Sequence, residues 1–169
     1  MSVTECLADL NFVVDSSRSI NRTNWNTVLE FVANVVDRYT IGPNNVQVAF
    51  VLFSHVATVE WPLTRYTNKP SLLRAIRDVD YVGSLTNLND ALYLTRTEVF
   101  AAGRGTRSGV LKVTIILTDG RDNVPELDTP LTIQNATECK NQGIRLIAVG
   151  VSALVDPQRL RQILSLIHI

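Results

Sequence analysis

Asp15, Ser17 and Ser19 stand at alternate positions directly after the apolar run Leu10-Asn11-Phe12-Val13-Val14. A strand that ends this way delivers one carboxylate and two hydroxyls to a single loop. These are hard oxygen donors, suited to a small hard cation such as Mg²⁺ rather than to the metals that His and Cys bind. A second apolar run, Val113-Thr114-Ile115-Ile116-Leu117, ends in Thr118-Asp119-Gly120. Two buried strands, each ending in Asp beside a tight turn, predict one oxygen-rich cluster at the carboxyl edge of a parallel sheet. That edge is where open α/β sheets bind ligands. The competing roles are ordinary ones: Ser17 and Ser19 as caps of the next helix, and Asp119 and Asp122 as turn residues. His55 has no His or Cys at metal-ligand spacing and reads as a loop residue. Trp25 and Trp61 read as core or edge packing.

The elements that must position these donors follow from periodicity. Residues 10–14 and 113–117 are short, continuous and β-branched, as strands buried on both faces are. Helical spacing runs over 25–39 through Trp25, Val28, Leu29, Val32, Val35 and Val36. A turn at 41–45 leads to a strand at 46–53, with Gln47 its strongly polar interior residue. Residues 57–63 alternate and carry Pro62, as an edge strand does. A helix over 69–79 has Pro70 in its first turn. The polar turn 83–87 precedes a helix over 88–100, and 103–109 is expected to be a flexible surface loop bearing Arg104 and Arg107. A helix over 129–141 closes at Gly143, a strand covers 145–151, and a further helix begins at Pro157. The alternation predicts a doubly wound, Rossmann-like α/β fold: a mostly parallel sheet with one antiparallel edge strand and helices on both faces.

The 169 residues suffice for one domain with a substantial core, and 46% apolar with 19% charged residues argues against disorder. Sixteen basic residues balance sixteen acidic ones with no basic run, so nucleic acid is not an expected partner. No apolar stretch approaches the ~18 to 20 residues of a membrane span, and the first five residues lack the pattern of a secretory signal. Two features point outside the cell nonetheless. Asn21-Arg22-Thr23 and Asn135-Ala136-Thr137 are glycosylation sequons. Cys6 and Cys139 are either two buried thiols or a disulfide. In the predicted topology Cys6 precedes the first strand at the bottom of the sheet, and Cys139 ends a helix that returns there. A disulfide is therefore expected, contributing about 4 to 5 kcal/mol by loop closure, less any strain.

Four segments together resemble the von Willebrand factor type A domain over residues 6–163. They are Asp-Leu-Asn-Phe-Val-Val-Asp-Ser-Ser-Arg-Ser-Ile at 9–20, Gly-Ser-Leu-Thr-Asn-Leu-Asn-Asp-Ala-Leu at 83–92, Leu-Thr-Asp-Gly at 117–120 and Gly-Ile-Arg-Leu-Ile-Ala-Val-Gly-Val at 143–151. The Asp-Ser-Ser-Arg-Ser variant looks most like that of matrilins and the A domains of non-fibrillar collagens. The resemblance implies a metal-ion-dependent adhesion site holding Mg²⁺ or Mn²⁺. Ser17 and Ser19 would bind the ion directly, Thr86 would be the third protein ligand, and Asp15 and Asp119 would act through water and hydrogen bonds. An open metal position would then take an acidic side chain of an extracellular matrix protein such as collagen. No enzymatic chemistry and no membrane insertion are implied, and the chain would be part of a larger secreted, multidomain protein. A structural matrix module with metal-independent contacts is the rival expectation. A Mg²⁺-dependent hydrolase using Asp15 and Asp119 is a distant third, because no nucleophile–base pair or P-loop accompanies them.

Three departures from the pattern matter. Leu88-Asn89 replaces the family's usual Thr-Gly, with Asn89 expected to take up a glycine-like conformation. Arg18 brings a long cation near the metal, where it would either repel the ion weakly or steer acidic ligands, and a glycan on Asn21 would sit at the rim. Finally, the family adds a sixth strand and a terminal helix where this chain has only Leu164-Ser165-Leu166-Ile167-His168-Ile169. That hexapeptide is what CTG TCT CTT ATA CAC ATC encodes, the start of a transposase mosaic end used in sequencing libraries. Residues 164–169 are accordingly expected to be a non-native tail on a domain truncated before its last strand and C-terminal helix.

Overall fold

The computed structural model describes residues 7–119, 129–151, 158 and 160–161. Cys6, Asp122, the start of the last helix and the 164–169 tail lie outside the described residues, as does the expectation of a missing final strand and helix. The elements are β1 (Ala8–Asp15), α1 (Arg22–Asp37), β2 (Val46–Phe53), β3 (Ala57–Trp61), α2 (Lys69–Arg77), α3 (Leu88–Leu94), a π-helical turn (Thr95–Val99), β4 (Leu111–Thr118), α4 (Thr129–Asn141) and β5 (Ile144–Gly150). The strands form one sheet in the order β3-β2-β1-β4-β5. All pairings are parallel except β2 with β3, which is antiparallel, so the predicted edge strand is found where expected.

β1 lies at the centre with every residue buried. Its even positions, Leu10, Phe12 and Val14, pack with Trp25, Val28, Leu29, Val32 and Val36 of α1 and Leu72 and Ile76 of α2. The odd side faces the other layer, where Val13 joins Leu88 and Leu92 of α3 and Ala136 and Cys139 of α4. Helices therefore cover both faces. The α4 stripe is Thr132, Asn135, Ala136 and Cys139, all buried at helical spacing. Trp25 and Trp61 are core residues, 4% and 5% exposed, as predicted.

A helix and a loop depart from the sequence-based expectations. The helix foreseen over 88–100 becomes a π turn at Thr95. There the Thr95 hydroxyl donates to Ala91 O (2.8 Å) and accepts from Asn11 Nδ2 (3.2 Å), while Phe100 N donates to Thr95 O (3.0 Å). Asn11 is wholly buried in β1; the widened turn provides the acceptor for its Nδ2, while its Oδ1 has no partner.

The second departure is the loop before β4, expected to be loose. Arg107 pins it to the amino end of the sheet. Its Nε donates to Asp9 Oδ1 and its own backbone N–H to Asp9 Oδ2, both at 2.8 Å, and its guanidinium also reaches the carbonyls of Ala8, Asn45 and Pro43. Asp9 is fully buried, and the Arg107 side chain is 19% exposed. Removing one partner of such a pair strands a desolvated charge. Arg107→Ala is expected to destabilise the fold by about 3 to 5 kcal/mol in urea titration. The double variant Asp9→Ala/Arg107→Ala is expected to cost less than the sum of the two single ones. Arg77→Ala, which breaks an exposed pair with Glu30, is the control and should leave the midpoint nearly unmoved.

Candidate metal centre

The parallel register of β1 and β4 aligns Val14 with Leu117, so Asp15 and Thr118 emerge side by side at the carboxyl edge. Thr118 Oγ1 donates to Asp15 Oδ2 at 2.7 Å. The backbone N–H of Ser17 donates to Asp15 Oδ1 at 2.8 Å, closing an Asx turn that folds the 15–19 loop over the strand end. Ser17 Oγ and Ser19 Oγ lie 3.0 Å apart. Asp15, Ser17 and Asp119 are fully buried, whereas Ser19 is partly open to solvent.

The Thr86 loop is stitched against this cluster. Gly83 N donates to Ser16 O and Arg18 N to Ser84 O, each at 2.8 Å. Val82 N donates to Ser16 Oγ (2.8 Å), and the Tyr81 hydroxyl donates to Ser17 O (3.1 Å). On its other side, Asn87 N donates to Ser54 O at 2.7 Å, fastening the loop to the turn after β2. Gly83 has φ 72°, and a Cβ there would meet the Tyr81 ring at 2.8 Å. Glycine is thus required by conformation and by space. Loops from β1, β4 and the α2–α3 connection converge on one point.

The structure separates the competing roles of the hydroxyls. Helix α1 is capped by Asn21, whose Oδ1 accepts from Asn24 N at 3.0 Å, and not by Ser17 or Ser19. Helix α3 is capped by Asn87 and not by Thr86. The Thr86 residue is 1% exposed, and its buried hydroxyl has no hydrogen-bond partner. An orphaned hydroxyl of this kind costs about 1 to 3 kcal/mol unless something completes it. Together with the serine pair it makes a donor set that fits a hard cation. Among the described residues no three His, Cys, Asp or Glu side chains cluster; here the candidate donors are largely hydroxyls.

Ser16, Tyr81, Asn87 and Thr118 are the positioning residues that sequence reasoning left without a role. Ser16, Asn87 and Thr118 lay inside the quoted motifs, but only the fold reveals what each one holds. Asn89 is a correction: it sits in the first turn of α3, and Asn21 (φ 55°) is the only non-glycine with positive φ among the described residues. Asn89 Oδ1 accepts from Asn135 Nδ2 at 2.7 Å, and Asn135 Oδ1 accepts from Arg96 Nε at 2.9 Å. Asn135 is only 8% exposed, so a glycan on its Nδ2 is incompatible with this α3–α4 contact. Asn21 is exposed with its Nδ2 clear of the cap. His55 is an exposed loop residue, as predicted. Cys139 is fully buried, and burial pushes its thiol up to about 12.

Burial also pushes the Asp15 carboxyl up to about 6 from 3.8; hydrogen bonds from Ser17 and Thr118 pull it down, and the Asp119 charge adds to the rise. Without metal, the folded chain keeps this proton to higher pH than the unfolded chain does. Its stability is therefore present in full below pH ~4 and is lost as pH rises through ~6, by on the order of 3 kcal/mol. Urea midpoints in EDTA should show this fall for wild type and a flatter profile for Asp15→Asn. Parallel profiles would mean that Asp15 is not its source.

Comparison with known proteins agrees with this geometry. The profile of the von Willebrand factor type A domain matches residues 9–167. The collagen alpha-1(XII) chain of Notophthalmus viridescens is 33% identical over 162 residues, covering 96% of this chain and 17% of that protein. Matrilin-1 of Homo sapiens is 33% identical over 162 residues, covering 93% of this chain and 31% of that protein. Proximal thread matrix protein 1 from the mussel byssus, solved with a zinc-occupied MIDAS motif, superposes with a TM-score of 0.81 at 32% identity, over 94% of this chain and 39% of that one. The chain thus spans less than half the length of each relative. On motif, fold and similarity over nearly its whole length, this chain belongs to the von Willebrand factor type A domain family.

Proposed function

We propose that this chain is the adhesion module of a secreted extracellular matrix protein, binding protein partners through Mg²⁺ or Mn²⁺ held by Ser17, Ser19, Thr86, Asp15 and Asp119. The observation that carries it is the buried Thr86 hydroxyl without a partner, on a loop hydrogen-bonded to the one whose serines are released from capping by Asn21. The ion would supply a Lewis-acidic position able to accept a carboxylate from a partner such as collagen. Ser17 and Ser19 present neutral oxygens, which leave the cation its charge. Asp15 orients the 15–19 loop through the Ser17 N–H, and Thr118 fixes the carboxylate that does so. Nothing in this arrangement performs chemistry on the bound protein. The relatives, a collagen chain, a matrilin and a byssal thread matrix protein, support the matrix assignment.

Cys139 is a free, buried thiol in the structure, its Sγ donating to Leu92 O at 3.6 Å; in this reading it pairs with Cys6 only once the secreted protein is oxidised. The same proposal makes Asn21 the sequon that the folded domain tolerates.

The test is thermal melting with Mg²⁺, Mn²⁺ or EDTA on wild type and Asp15→Ala. At a hundred times its Kd a cation adds about 2.7 kcal/mol, a clear rise in Tm. That rise should appear in wild type, shrink below pH ~6 as Asp15 takes up its proton, and vanish in the variant. A cooperative melt indifferent to both cations in wild type would exclude the metal site and leave a metal-independent matrix module.

A further inference from the structure

The two sequons of this chain meet opposite fates on folding. Asn21 stands exposed at the amino end of α1, and Thr23 is exposed with it. Asn21 Oδ1 caps the helix through Asn24 N. Nδ2, the atom that carries a glycan, makes no hydrogen bond among the described residues, so a sugar there leaves the cap intact.

Asn135 is the reverse. It lies in α4, 8% exposed, with both ends of its amide committed to the α3 segment. Arg96 Nε can only donate, so at 2.9 Å it fixes which end of the amide is oxygen. Nδ2 is thereby turned onto Asn89 Oδ1 at 2.7 Å. Arg96 is itself held, because its Nη2 pairs with Glu138 Oε2 at 2.8 Å and its guanidinium lies over the Tyr93 ring at 5.0 Å. The hydroxyl of the sequon is engaged too: Thr137 Oγ1 donates to Ile133 O at 2.8 Å.

Glycan transfer replaces one Nδ2–H by a bond to the anomeric carbon of a lipid-linked oligosaccharide. The lipid diphosphate leaves with the electron pair of the broken C–O bond, and the displaced proton passes to solvent. One N–H survives on the amide. A sugar ring on the same nitrogen nevertheless has no space where α3 and α4 close over it.

We propose that Asn135 is a folding-gated sequon: glycan transfer to it and docking of α4 onto the α3 segment exclude one another. The folded domain then carries its glycan on Asn21 alone, and chains modified at Asn135 do not mature. The proposal rests on the secreted reading and is independent of the metal site. Asn89 and Arg96 both precede Asn135 in the chain, so α4 meets partners already synthesised and docking competes with transfer.

The experiment is expression of the whole chain in mammalian cells behind a cleavable secretion signal. Secreted and cell-retained pools are deglycosylated enzymatically in heavy-oxygen water, and peptide mass spectrometry reads the labelled Asp left at each occupied Asn. The secreted pool should be labelled at Asn21 and not at Asn135, and any label at Asn135 should sit in the retained pool. Thr137→Ala removes the sequon but keeps every Asn135 contact. It should lose label at Asn135 and lose no protein from the secreted pool. Asn89→Ala/Arg96→Ala opens the seam and should gain label at Asn135. Label at Asn135 in secreted chains that melt cooperatively would overturn the exclusion, as would its absence from the seam variant. A secreted pool bare at Asn21 would overturn the Asn21 assignment. Retention of the sequon-free Thr23→Ala/Thr137→Ala chain, when the same chain made in bacteria melts cooperatively, would overturn the secreted reading and the proposal with it.

Discussion

Strand β1 buries three polar side chains in eight residues, and each of them fastens a distant segment of the chain. Asp9, Asn11 and Asp15 are each fully buried on the same side of the strand, two or four residues apart as the pleat requires. Asp9 takes the Arg107 guanidinium and so anchors the loop before β4. Asn11 donates to Thr95 and shapes the π turn of the α3 segment. Asp15 takes the Ser17 N–H and the Thr118 hydroxyl and shapes the carboxyl edge. A central strand usually contributes apolar surface to both layers. This one contributes it mainly through Leu10, Phe12 and Val14, and uses the opposite face to fasten three distant segments.

The two buried carboxylates of β1 are treated differently, and the difference bears on function. Asp9 is neutralised by the Arg107 guanidinium, whose Nε and Nη2 lie 2.8 and 2.7 Å from Oδ1, while the Arg107 backbone N–H takes Oδ2 at 2.8 Å. Asp15 receives hydrogen bonds but no Lys or Arg partner among the described residues, so its charged form is poorly compensated and its carboxyl titrates near 6. A buried carboxylate left without a protein cation is a position at which an external cation relieves a standing cost. The unpartnered Thr86 hydroxyl bears on the same point from the neighbouring loop. Both observations support the metal-bridged reading without relying on family likeness.

The loops at this edge are polar inside and apolar outside, which inverts the usual arrangement. Their hydroxyls and carboxylates turn inward to one another and to the backbone, because unpaired buried backbone groups are costly. Val56, Val82, Leu85 and Arg18 are turned to solvent together with His55, and Ser19 is partly open. A rigid turn at Gly83 and the staples from Ser16 and Asn87 hold that surface in one shape, so little ordering entropy would remain to oppose a partner.

By itself the amino-acid sequence determined which donors the chain owns and which elements carry them. Strand and helix identity follow from short-range periodicity, and the alternation of apolar runs with amphipathic segments is enough for a doubly wound sheet. Asp15, Ser17, Ser19 and Asp119 were legible because each closes or follows such an element, whereas Thr86 was singled out only through the resemblance to the von Willebrand factor type A domain. The tertiary structure alone decided which of these groups are already spoken for. Capping by Asn21 and Asn87 releases Ser17, Ser19 and Thr86, and no local rule chooses between neighbouring cap candidates of similar propensity. Arg107 finds Asp9 across 98 residues, and Asn135 is occupied by Asn89 and Arg96 from another helical segment. Such pairings depend on which faces meet after the sheet has assembled, and local periodicity carries no record of that.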